Sequence, residues 1–352
     1  MANWLESMQR AYEYYVVDPL TWRDKRLINT VKSCTITRDA YVETLGSATF
    51  DIDEIIGESY VRAYLMTIQN GVKEKHPLGT FLAQTPSTGF DGKVKSTSLD
   101  AYTPLIELKE NSPPIGYYVE KGTNIMDAAY RIARENMRAP VVAAKCDSTL
   151  SYDFVADTSD TWLSFLMDLI AAANYRFDLD EMGRVLFAPK QSLSALRPMT
   201  TYDDSNSSIL YPELSIDEDM YGIPNVVEVV YYDGKNHYEC IVSNDDENSP
   251  ISTVSRGRKI VYRDSDPDIP GIPDQAQIDE YAKRLLQELS SIERTVSYSH
   301  GYCPIRLRDC VRLNYTRAGL LDVKAQVVGQ TIKCTPSCTV SEKAIFSNNL
   351  WR

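Results

Sequence analysis

The sequence lacks any long run of apolar residues. No window approaches the roughly 18 consecutive apolar residues of a membrane-spanning helix. The N-terminal stretch MANWLESMQRAYEYY contains an acid and many polar groups, so it is not a secretory signal. This pattern excludes stable membrane insertion and predicts that the protein is made in a cytoplasm.

Clusters of basic residues are also absent. The chain has 37 Lys and Arg against 49 Asp and Glu, and its net charge is −12. Stable nucleic-acid binding needs clustered Lys and Arg that displace counterions, and the nearest approach is the short RGRK at 256–259. An acidic surface keeps polyanions from sticking, so it would suit a wall past which nucleic acid slides.

Recognisable catalytic signatures are missing. The three histidines, His76, His237 and His300, each lie in a predicted turn or strand, and HExxH is absent. No G-x-S-x-G elbow or P-loop occurs, and no G-x-G-x-x-G opens a helix. We interpret the histidines as surface or turn residues. The sequence therefore predicts no catalytic residues, no cofactor-binding residues and no metal ligands, and hence a protein that is not an enzyme.

Acidic residues cluster in three places. Asp178, Asp180 and Glu181 form the tip of a predicted hairpin, which we interpret as a solvated turn. The runs 217–219 and 245–247 are interpreted as solvated loops, because the full calcium-loop pattern is missing. With 49 acids in the chain, a glycosidase-type pair of carboxylates stays open.

Four of the seven cysteines fall near the C-terminal end: Cys303, Cys310, Cys334 and Cys338. Their spacing favours free or buried thiols. A Cys334–Cys338 disulfide across a turn and a metal or cluster site are the alternatives that stay open. Tyrosine is frequent, with 23 residues against 8 phenylalanines, which suits half-buried strand faces and subunit interfaces.

The first hundred residues favour strands. A short amphipathic helix is predicted for the first dozen residues, and TVKSCTITRDAYVETLGSATFDI predicts strands after it. Asn70-Gly71 and Asp91-Gly92 each stand between two strand-like runs, which indicates a hairpin turn. Several antiparallel strands within such a short stretch predict a small barrel or sandwich.

The pattern changes at Leu99. DAYTPLIELKE predicts a short helix, and GTNIMDAAYRIARENMR predicts a longer helix with Thr123 as its N-cap. SDTWLSFLMDLIAAANY predicts another helix, capped by Ser159 or Asp160, with its apolar residues on one face. YRFDLDEMGRVLFAP then closes as a hairpin around Met182-Gly183. These elements predict a mixed α/β unit inserted between strand-rich units.

Strands resume from residue 209. VVEVVYYDGKNHYECIV predicts a hairpin around Asp233-Gly234, and PDQAQIDEYAKRLLQELSS predicts a capped helix before a strand-rich C-terminal end. The predicted fold class is α+β, with two antiparallel β-barrel-like domains that flank mixed α/β inserted domains. The predicted domains are a first barrel-like domain at 1–98, an α/β inserted domain at 99–200, a strand–helix domain at 201–291 and a second barrel-like domain at 292–352.

Four stretches carry a resemblance to one protein family. They are AYEYYVVDPLTWRDKRLINTVKSCTITRD; LGTFLAQTP with FDGKVKSTSLDAY; VEKGTNIMDAAYRI with DTSDTWLSFLMDLIAAANYRFDLDEMGRVLFAP; and LYPELSIDEDMYGIPNVVEVVYYD with SNDDENSPISTVSRGRKIV and RDCVRLNYTRAGLLDVKAQVV. In this order, over nearly the whole chain, they resemble the tail hub, or baseplate hub, proteins of tailed bacteriophages. The segment KCTPSC departs from the family, in which an ordinary hairpin is usual at this place.

The resemblance implies a homotrimer in which each subunit contributes two similar tube-forming barrels. Three subunits would then match a six-fold tail tube above and a three-fold spike or tail fibre below. The implied function is a structural hub at the tail tip of a virion, assembled in the host bacterial cytoplasm, with a role in DNA ejection and host attachment. The implied partners are the tail tube or distal tail protein, the tape measure protein and the spike or tail-fibre protein, with DNA only in transit and no cofactor.

Two other functions stay open at this point. A tail-associated cell-wall hydrolase would need an added domain, for which we expect no room after the second barrel. A host-receptor or carbohydrate-binding module fits the strands and tyrosines, although exposed tryptophan platforms are not evident. Under the hub interpretation, we expect Thr80–Leu99 to lie in a tube-forming barrel and to contact a neighbouring subunit.

Overall fold

Antiparallel strands make up most of the structure. The computed structural model describes residues 2–54, 56–92, 94–205, 208–218, 220–232, 234–265, 267 and 274–349. Its strands are β1 (Gln9–Val17), β2 (Asp24–Ile28), β3 (Val31–Asp39), β4 (Gly46–Ile52), β5 (Ser59–Gln69), β6 (Val72–Asp91), β7 (Val94–Tyr102), β8 (Tyr118–Val119), β9 (Phe154–Val155), β10 (Tyr175–Leu179), β11 (Val185–Pro189), β12 (Pro198–Asp203), β13 (Leu210–Glu218), β14 (Val226–Tyr232), β15 (His237–Ser243), β16 (Val261–Asp264), β17 (Ser291–Gly301), β18 (Cys310–Tyr315), β19 (Leu320–Lys333) and β20 (Thr339–Asn349). Its helices are α1 (Ile106–Lys109), α2 (Ile125–Asn136), α3 (Trp162–Ala171), α4 (Thr253–Arg256) and α5 (Gln275–Leu289), with a 3-10 turn at Thr316–Ala318.

The chain forms two compact units. The larger unit contains Met1–Leu214 and Ser297–Ala344, and the smaller unit contains Ser215–Val296 and Ile345–Arg352. Each unit therefore combines segments that are distant in sequence. The four predicted domains divide the chain at other positions, and they stay predictions. None of the described helices has the length and apolar character that crossing a membrane requires.

The N-terminal strands follow from the tyrosine and valine content of the sequence. β1 pairs antiparallel with β5 along its whole length, from Gln9 opposite Ile68 to Val17 opposite Tyr60. The short helix predicted for the first dozen residues is wrong for the part that forms β1, since β-branched and aromatic side chains favour a strand whose ladder satisfies the backbone. The strands predicted between Val31 and Ile52 are confirmed as β3 and β4.

Two predicted hairpin turns are confirmed. Asn70 and Gly71 join β5 to β6 with φ values of 51° and 78°. A two-residue type I′ turn requires positive φ at both positions, which Asn and Gly tolerate best. Gly92, with φ of 61°, lies in the connection between β6 and β7, and Lys93 lies outside the described residues.

Strands from both ends of the chain join in one sheet. Its main path runs β13-β17-β20-β19-β3-β4-β7-β6-β5-β1-β2, with β12 and β18 paired beside it. β3 connects the N-terminal strands with the C-terminal strands, because one of its edges pairs with β4 and the other pairs with β19. The expectation of two separate barrels is therefore corrected, since the path of the described strands stays open; the β-rich class is confirmed. Side-chain alternation specifies which face of a strand is buried, but it does not specify the partner of each edge.

Two amphipathic helices and a hairpin form the inserted part of the larger unit. α2 begins after Asn124, whose side chain accepts hydrogen bonds from the N–H groups of Met126 and Asp127. α3 begins after Thr161, which forms a capping box with Ser164. Both helices are confirmed, but their N-caps lie one or two residues later than predicted. Each N-cap, Asn124 and Thr161, has a neighbour that also caps helices well, so residue type alone does not show which of them is the N-cap.

The apolar face predicted for α3 is buried. Its members are Trp162, Phe165, Leu166, Leu169 and Ile170, all at most 6% exposed. They pack in one core with residues of α2, β10 and β11. The predicted hairpin at 175–189 is confirmed as β10 and β11. The helix predicted before them is shorter than expected: only Ile106–Lys109 is helical, because Asp100–Tyr102 continues β7 beside β4.

The smaller unit contains a three-stranded sheet, in the order β15-β14-β16, with α5 packed on one face. Val227 and Val229 of β14 are fully buried against Ile278, Ala282 and Leu286 of α5. The predicted β14–β15 hairpin is confirmed, although Asp233 of its turn lies outside the described residues. β16 pairs parallel with β14, an arrangement that its short sequence pattern did not specify.

A buried arginine holds the inserted hairpin on the large sheet. Arg62 of β5 is 1% exposed. Its Nε donates to Thr80 Oγ1 at 2.8 Å, and its Nη1 donates to Asp24 Oδ1 at 2.8 Å. Its Nη2 donates to the main-chain oxygens of Trp22 at 3.3 Å and Met182 at 3.1 Å. One side chain thus connects β2, β5 and β6 with the turn between β10 and β11.

The turn itself requires glycine. Gly183 has a φ of 75°, which disfavours other residues. A Cβ atom at this position would lie 2.7 Å from Thr80 Cβ and 3.2 Å from Trp22 Cζ2. Trp22 Nε1 also donates to Met182 O at 2.7 Å. Close packing on the sheet, as well as the turn conformation, therefore explains the Met182-Gly183 pair.

We expect Arg62→Ala to lower the free energy of unfolding of the larger unit by about 3–5 kcal/mol, because it removes the buried cation that pairs with Asp24 at 2.8 Å and leaves only Lys75, at 3.9 Å, near this carboxylate. Urea unfolding followed by tryptophan fluorescence measures the loss. Arg26→Ala is a matched control: the Arg26 side chain is 51% exposed and pairs with Glu54 at 3.0 Å, so we expect about 0–1 kcal/mol. Equal losses for the two variants would contradict the anchoring role of Arg62.

Candidate functional site

The three histidines occupy three different environments. His237 is exposed at the start of β15, as expected of a surface residue. His76 in β6 is half-buried, with Nε2 3.0 Å from Thr67 Oγ1 and 3.5 Å from Glu74 Oε2, and burial lowers its pKa. His300 in β17 is 0% exposed, so its interpretation as a surface or turn residue is wrong.

A buried polar network surrounds His300. Glu342 of β20 is 1% exposed. Its Oε2 accepts hydrogen bonds from His300 Nε2 at 3.4 Å and from Gln330 Nε2 at 2.7 Å, and its Oε1 accepts one from the Tyr298 hydroxyl. Gln330 Oε1 in turn accepts from Arg38 Nη1 at 3.1 Å. Because the carboxylate has three donors, its burial is compensated, and the network stabilises the pairing of β17, β20, β19 and β3.

A thiol and a second tyrosine complete this network. Cys303 Sγ lies 3.9 Å from His300 Nδ1 and 3.0 Å from the Tyr202 hydroxyl. A thiol, an imidazole and a carboxylate in this order are the elements of nucleophilic catalysis. However, His300 Nδ1 lies 2.7 Å from the carbonyl oxygen of Gly301 and donates its proton there. His300 therefore does not accept the thiol proton, and Cys303 is only 7% exposed.

The protonation of His300 agrees with this geometry. Burial alone lowers its pKa, but the hydrogen bonds and charges of Cys303 and Glu342 outweigh burial and raise the pKa to about 10. The protonated ring uses both nitrogens as donors, one to Gly301 and one to Glu342. Burial raises the pKa of the Tyr298 hydroxyl well above its usual value, so it stays a neutral donor. The network is thus a buried ion pair with a structural role.

One residue of the network was detectable in the sequence. In the C-terminal strand, Val340, Glu342, Ala344 and Phe346 share one phase of the alternation, and all four are buried. An acid in the apolar phase of a strand indicates a buried polar partner, because an unpaired buried charge costs too much. The partners were missed because they come from β17 and β19, which pattern analysis does not place beside β20.

The acidic tip of the inserted hairpin is not a solvated turn. Asp180 is 8% exposed and accepts from Arg184 N at 2.8 Å and Arg184 Nε at 2.5 Å. Glu181 accepts from Arg306 Nε at 2.6 Å, and burial raises the pKa of Asp178. The earlier interpretation is wrong because the tip packs against the segment that follows β17. These acids stabilise the position of the hairpin.

The other acidic runs form ordinary polar contacts. Glu218 pairs with Arg294 at 3.0 Å, and Asp245 accepts from Ser243 Oγ at 2.6 Å. Asp219 lies outside the described residues. Within the described part of the chain, no three or more His, Cys, Asp or Glu side chains are grouped as a metal ion would require.

The cysteines are free thiols. Cys334 N–H donates to Cys34 O at 3.0 Å, where the ends of β3 and β19 meet. Burial raises the pKa of Cys34 well above its usual value and that of Cys338 to about 11. Cys310 is 1% exposed in β18, and Cys303 belongs to the His300 network. Free thiols are the state that the spacing favoured, and the raised pKa values of Cys34 and Cys338 make these two poor nucleophiles.

The exposed face of the large sheet is rich in hydroxyl groups. Directly opposite residues of paired strands share a face. One row across β3, β4, β7 and β6 consists of Ser33, Asp51, Ser98 and Ser87, and the next row across β19, β3, β4 and β7 consists of Lys333, Thr35, Thr49 and Asp100. We call these eight residues the hydroxyl face. Most of them line an open groove of about 480 Å³.

The hydroxyl face carries one cation among its eight residues. Its charged members are Lys333, Asp51 and Asp100, and Thr49 Oγ1 donates to Asp100 Oδ1 at 3.1 Å. Without a cluster of cations, such a surface does not retain a polyanion through counterion release. Apart from Lys333, its side chains are short and polar. The signal was present in the sequence, since KSCTITR and GSATFD carry Ser, Thr or Asp at every second position.

Comparison with known proteins gives similarity at the level of structure only. No family model matches the chain, and no curated protein sequence matches it. The structure is similar to the tail protein from Neisseria meningitidis MC58, with a TM-score of 0.64 and 12% identity over 97% of this chain and 98% of that chain.

Two further solved structures are similar. The 43 kDa tail protein of prophage MuSo2 from Shewanella oneidensis has a TM-score of 0.61 and 8% identity over 95% of this chain and 98% of that chain. A chain of the lidded Francisella PdpA–VgrG complex has a TM-score of 0.57 and 10% identity over 98% of this chain and 53% of that chain. The chain therefore has the fold of phage tail proteins, which confirms the resemblance seen in the sequence at the level of the fold.

We expect the free energy of unfolding of the larger unit to fall as the pH rises from 6.5 to about 10. The folded state keeps the His300 proton up to about pH 10, whereas the unfolded chain releases it near 6.5. The folded state binds more protons in this window, so the stabilisation is complete below pH 6.5 and is lost as the pH passes about 10. His300→Gln should remove up to about 1.4 kcal/mol per pH unit of this slope.

Urea unfolding at a series of pH values measures the slope. His237→Gln is the control, because His237 is exposed and should leave the wild-type slope unchanged. If the wild-type slope is no steeper than that of His300→Gln, the buried ion pair is contradicted.

Proposed function

We propose that this protein is a structural hub at the tip of a bacteriophage tail. The observation that supports the proposal is the fold, which is similar to two phage tail proteins over at least 95% of both chains. In the proposed assembly, three copies form a ring that adapts a six-fold tail tube to a three-fold spike or fibre. Thr80–Leu99, in β6 and β7, then contacts a neighbouring subunit.

The proposed hub also forms part of the DNA exit channel, with the hydroxyl face towards the passing DNA. A channel wall must let a polyanion pass without binding it, so it needs hydrated groups and few clustered cations. Ser33, Ser98 and Ser87 supply short hydroxyl side chains along one row, and the whole chain has a net charge of −12. Repulsion from the acidic protein further reduces the residence of DNA on the wall.

The proposed partners are the tail tube or distal tail protein, the tape measure protein and the spike or tail-fibre protein. The proposed location is the tail tip of the virion, after assembly in the cytoplasm of the host bacterium. The role is structural and not enzymatic. The geometry of His300 supports this view, since the trio of Cys303, His300 and Glu342 is buried and His300 Nδ1 donates to Gly301 O rather than accepting the thiol proton.

We expect the protein, in assembled tails, to form a ring of three copies below a six-fold tube. Cryo-electron microscopy of the tails tests this arrangement, and native mass spectrometry of the protein released from them should give three times 39.8 kDa. A strictly monomeric protein in the assembled tail would contradict the hub proposal.

We expect the double variant Ser33→Arg and Ser98→Arg to slow DNA release from assembled particles, because each arginine adds a phosphate contact to the channel wall. The delay should shrink at high salt, which screens these contacts. Release is measured by the fluorescence of a DNA-binding dye. The control is Ala143→Arg with Ser151→Arg, which places two arginines at exposed positions between α2 and β9, outside the large sheet.

Both variants should assemble in normal amounts. Normal release by the double variant of the hydroxyl face would exclude that face from the channel. If the tails contain a trimeric ring but the double variant releases DNA normally, the hub proposal stands and only the assignment of the channel lining to the hydroxyl face is wrong.

A further inference from the structure

A groove of about 330 Å³ lies on the larger unit, away from the hydroxyl face. Its walls are the connection between β3 and β4, the C-terminal half of α3, and the start of β10 with the end of β11. This volume is within the range of about 300–1,000 Å³ that is common for ligand sites. Its floor is cationic and its rim is apolar.

The floor contains two arginines with incomplete partners. Arg176 Nε is buried, and no group among the described residues accepts a hydrogen bond from it. Arg308 Nη1 donates to Phe177 O at 2.9 Å, and its Nη2 lies 3.5 Å from Ala40 O, so both of these acceptors are neutral carbonyls. A buried guanidinium normally pairs with a carboxylate or another anion, because desolvation of the charge is costly.

The two arginines also repel each other. Burial lowers the pKa of Arg308, and the charge of Arg176 lowers it further. Burial likewise lowers the pKa of Arg176, while Asp178 opposes this change for both groups. Burial raises the pKa of Asp178 itself, while the charges of Arg308, Arg176 and Arg306 lower it, so this acid is shared among three arginines. Two neighbouring arginines that are partly desolvated and repel each other indicate a binding site for an anion.

The remaining charged groups leave the groove positive. Lys190 adds a third cation at its edge. Of the acids in the walls, Glu43 already pairs with Lys109 at 2.8 Å, and Asp168 is exposed to solvent, so three cations face two acids. A positive groove is unexpected in a protein with a net charge of −12.

The rim of the groove carries exposed apolar side chains. Tyr41 is 69% exposed, Val42 is 44% exposed and Met167 is 37% exposed. Large apolar side chains beside a cationic floor match a ligand that carries a carboxylate next to an apolar group. Burial of the ligand's apolar group against them would contribute about 25 cal/mol per Å².

We propose that this groove binds an acidic peptide segment of a partner protein. A carboxylate of the segment pairs with Arg176 and Arg308, and an adjacent apolar side chain packs on Tyr41, Val42 and Met167. Arginine suits this task, because its planar fork binds a carboxylate through two parallel hydrogen bonds. The inference does not depend on the hub function.

A nucleic acid fits the groove less well. Phosphates need a track of cations, whereas the three cations of this groove lie at one place between apolar walls. A long polyanion would also meet the acidic remainder of the protein. A short segment avoids that repulsion because only its central residues enter the groove.

The probe is the peptide acetyl-Glu-Leu-Asp-Phe-Glu-amide, titrated into the full-length protein by calorimetry. We expect saturable binding that weakens as salt is added. The matched neutral peptide, acetyl-Gln-Leu-Asn-Phe-Gln-amide, should bind at least about tenfold more weakly, since it loses the charge-assisted hydrogen bonds. Equal binding of the two peptides, or no binding of the acidic one, overturns the proposal.

Variants locate the site. Arg176→Gln should weaken binding of the acidic peptide about tenfold, and Lys190→Gln should weaken it by less. Arg134→Gln, at an exposed position of α2, should leave binding unchanged. Arg176→Gln should also unfold at an equal or higher urea concentration than wild type, because it removes a partly buried charge. Unchanged binding in both Arg176→Gln and Lys190→Gln overturns the site.

The last titration uses an oligothymidine of similar length in place of the peptide. Tighter binding of the oligonucleotide than of the acidic peptide would overturn the proposal in favour of a nucleic-acid site. Should Arg176→Gln fail to fold, Lys190→Gln and Met167→Ala decide the outcome, since both change exposed side chains of the groove.

Discussion

The buried guanidinium of Arg62 is the constraint on which the larger unit depends. It holds the Met182 turn against the sheet, and that turn carries Glu181, which pairs with Arg306. The segment around Arg306 leads to Ile305, whose carbonyl oxygen accepts from Gln330 Nε2 at 3.0 Å. A continuous set of polar contacts thus connects the inserted hairpin with the buried Glu342. Each contact has a small net energy, but an unpaired member would be costly, so the set acts cooperatively.

The same strands serve two purposes on their two faces. In β3, Ile36 and Arg38 point to the interior, where Arg38 joins the network of Glu342. Ser33 and Thr35 belong to the opposite face, which carries hydroxyl groups. This division follows from the two-residue period of a strand. A rigid interior and a hydrated exterior are thus encoded in one alternating segment, which suits a protein whose proposed work is to hold a shape around a passing polymer.

The fold is retained at low sequence identity. The similar tail proteins share only 8% and 12% of residues with this chain, yet the likeness spans nearly all of both chains. Cores tolerate extensive substitution if volume and pattern are kept. The fold is therefore retained although most side chains differ. The cationic groove beside α3 is a local exception, since its two arginines are costly for the fold without an external partner.

By itself, the sequence determined the local elements: the hairpins at Asn70-Gly71 and Met182-Gly183, the amphipathic α3 and α5, and the alternating strands near both ends. These depend on period, turn chemistry and capping, which act over a few residues. Only the tertiary structure decided that β3 joins β19, that His300 is enclosed with Glu342, and that Arg176 lies beside Arg308. Those facts depend on pairing between segments up to about 300 residues apart, and neither strand edges nor single charged residues carry a local signal of their partners.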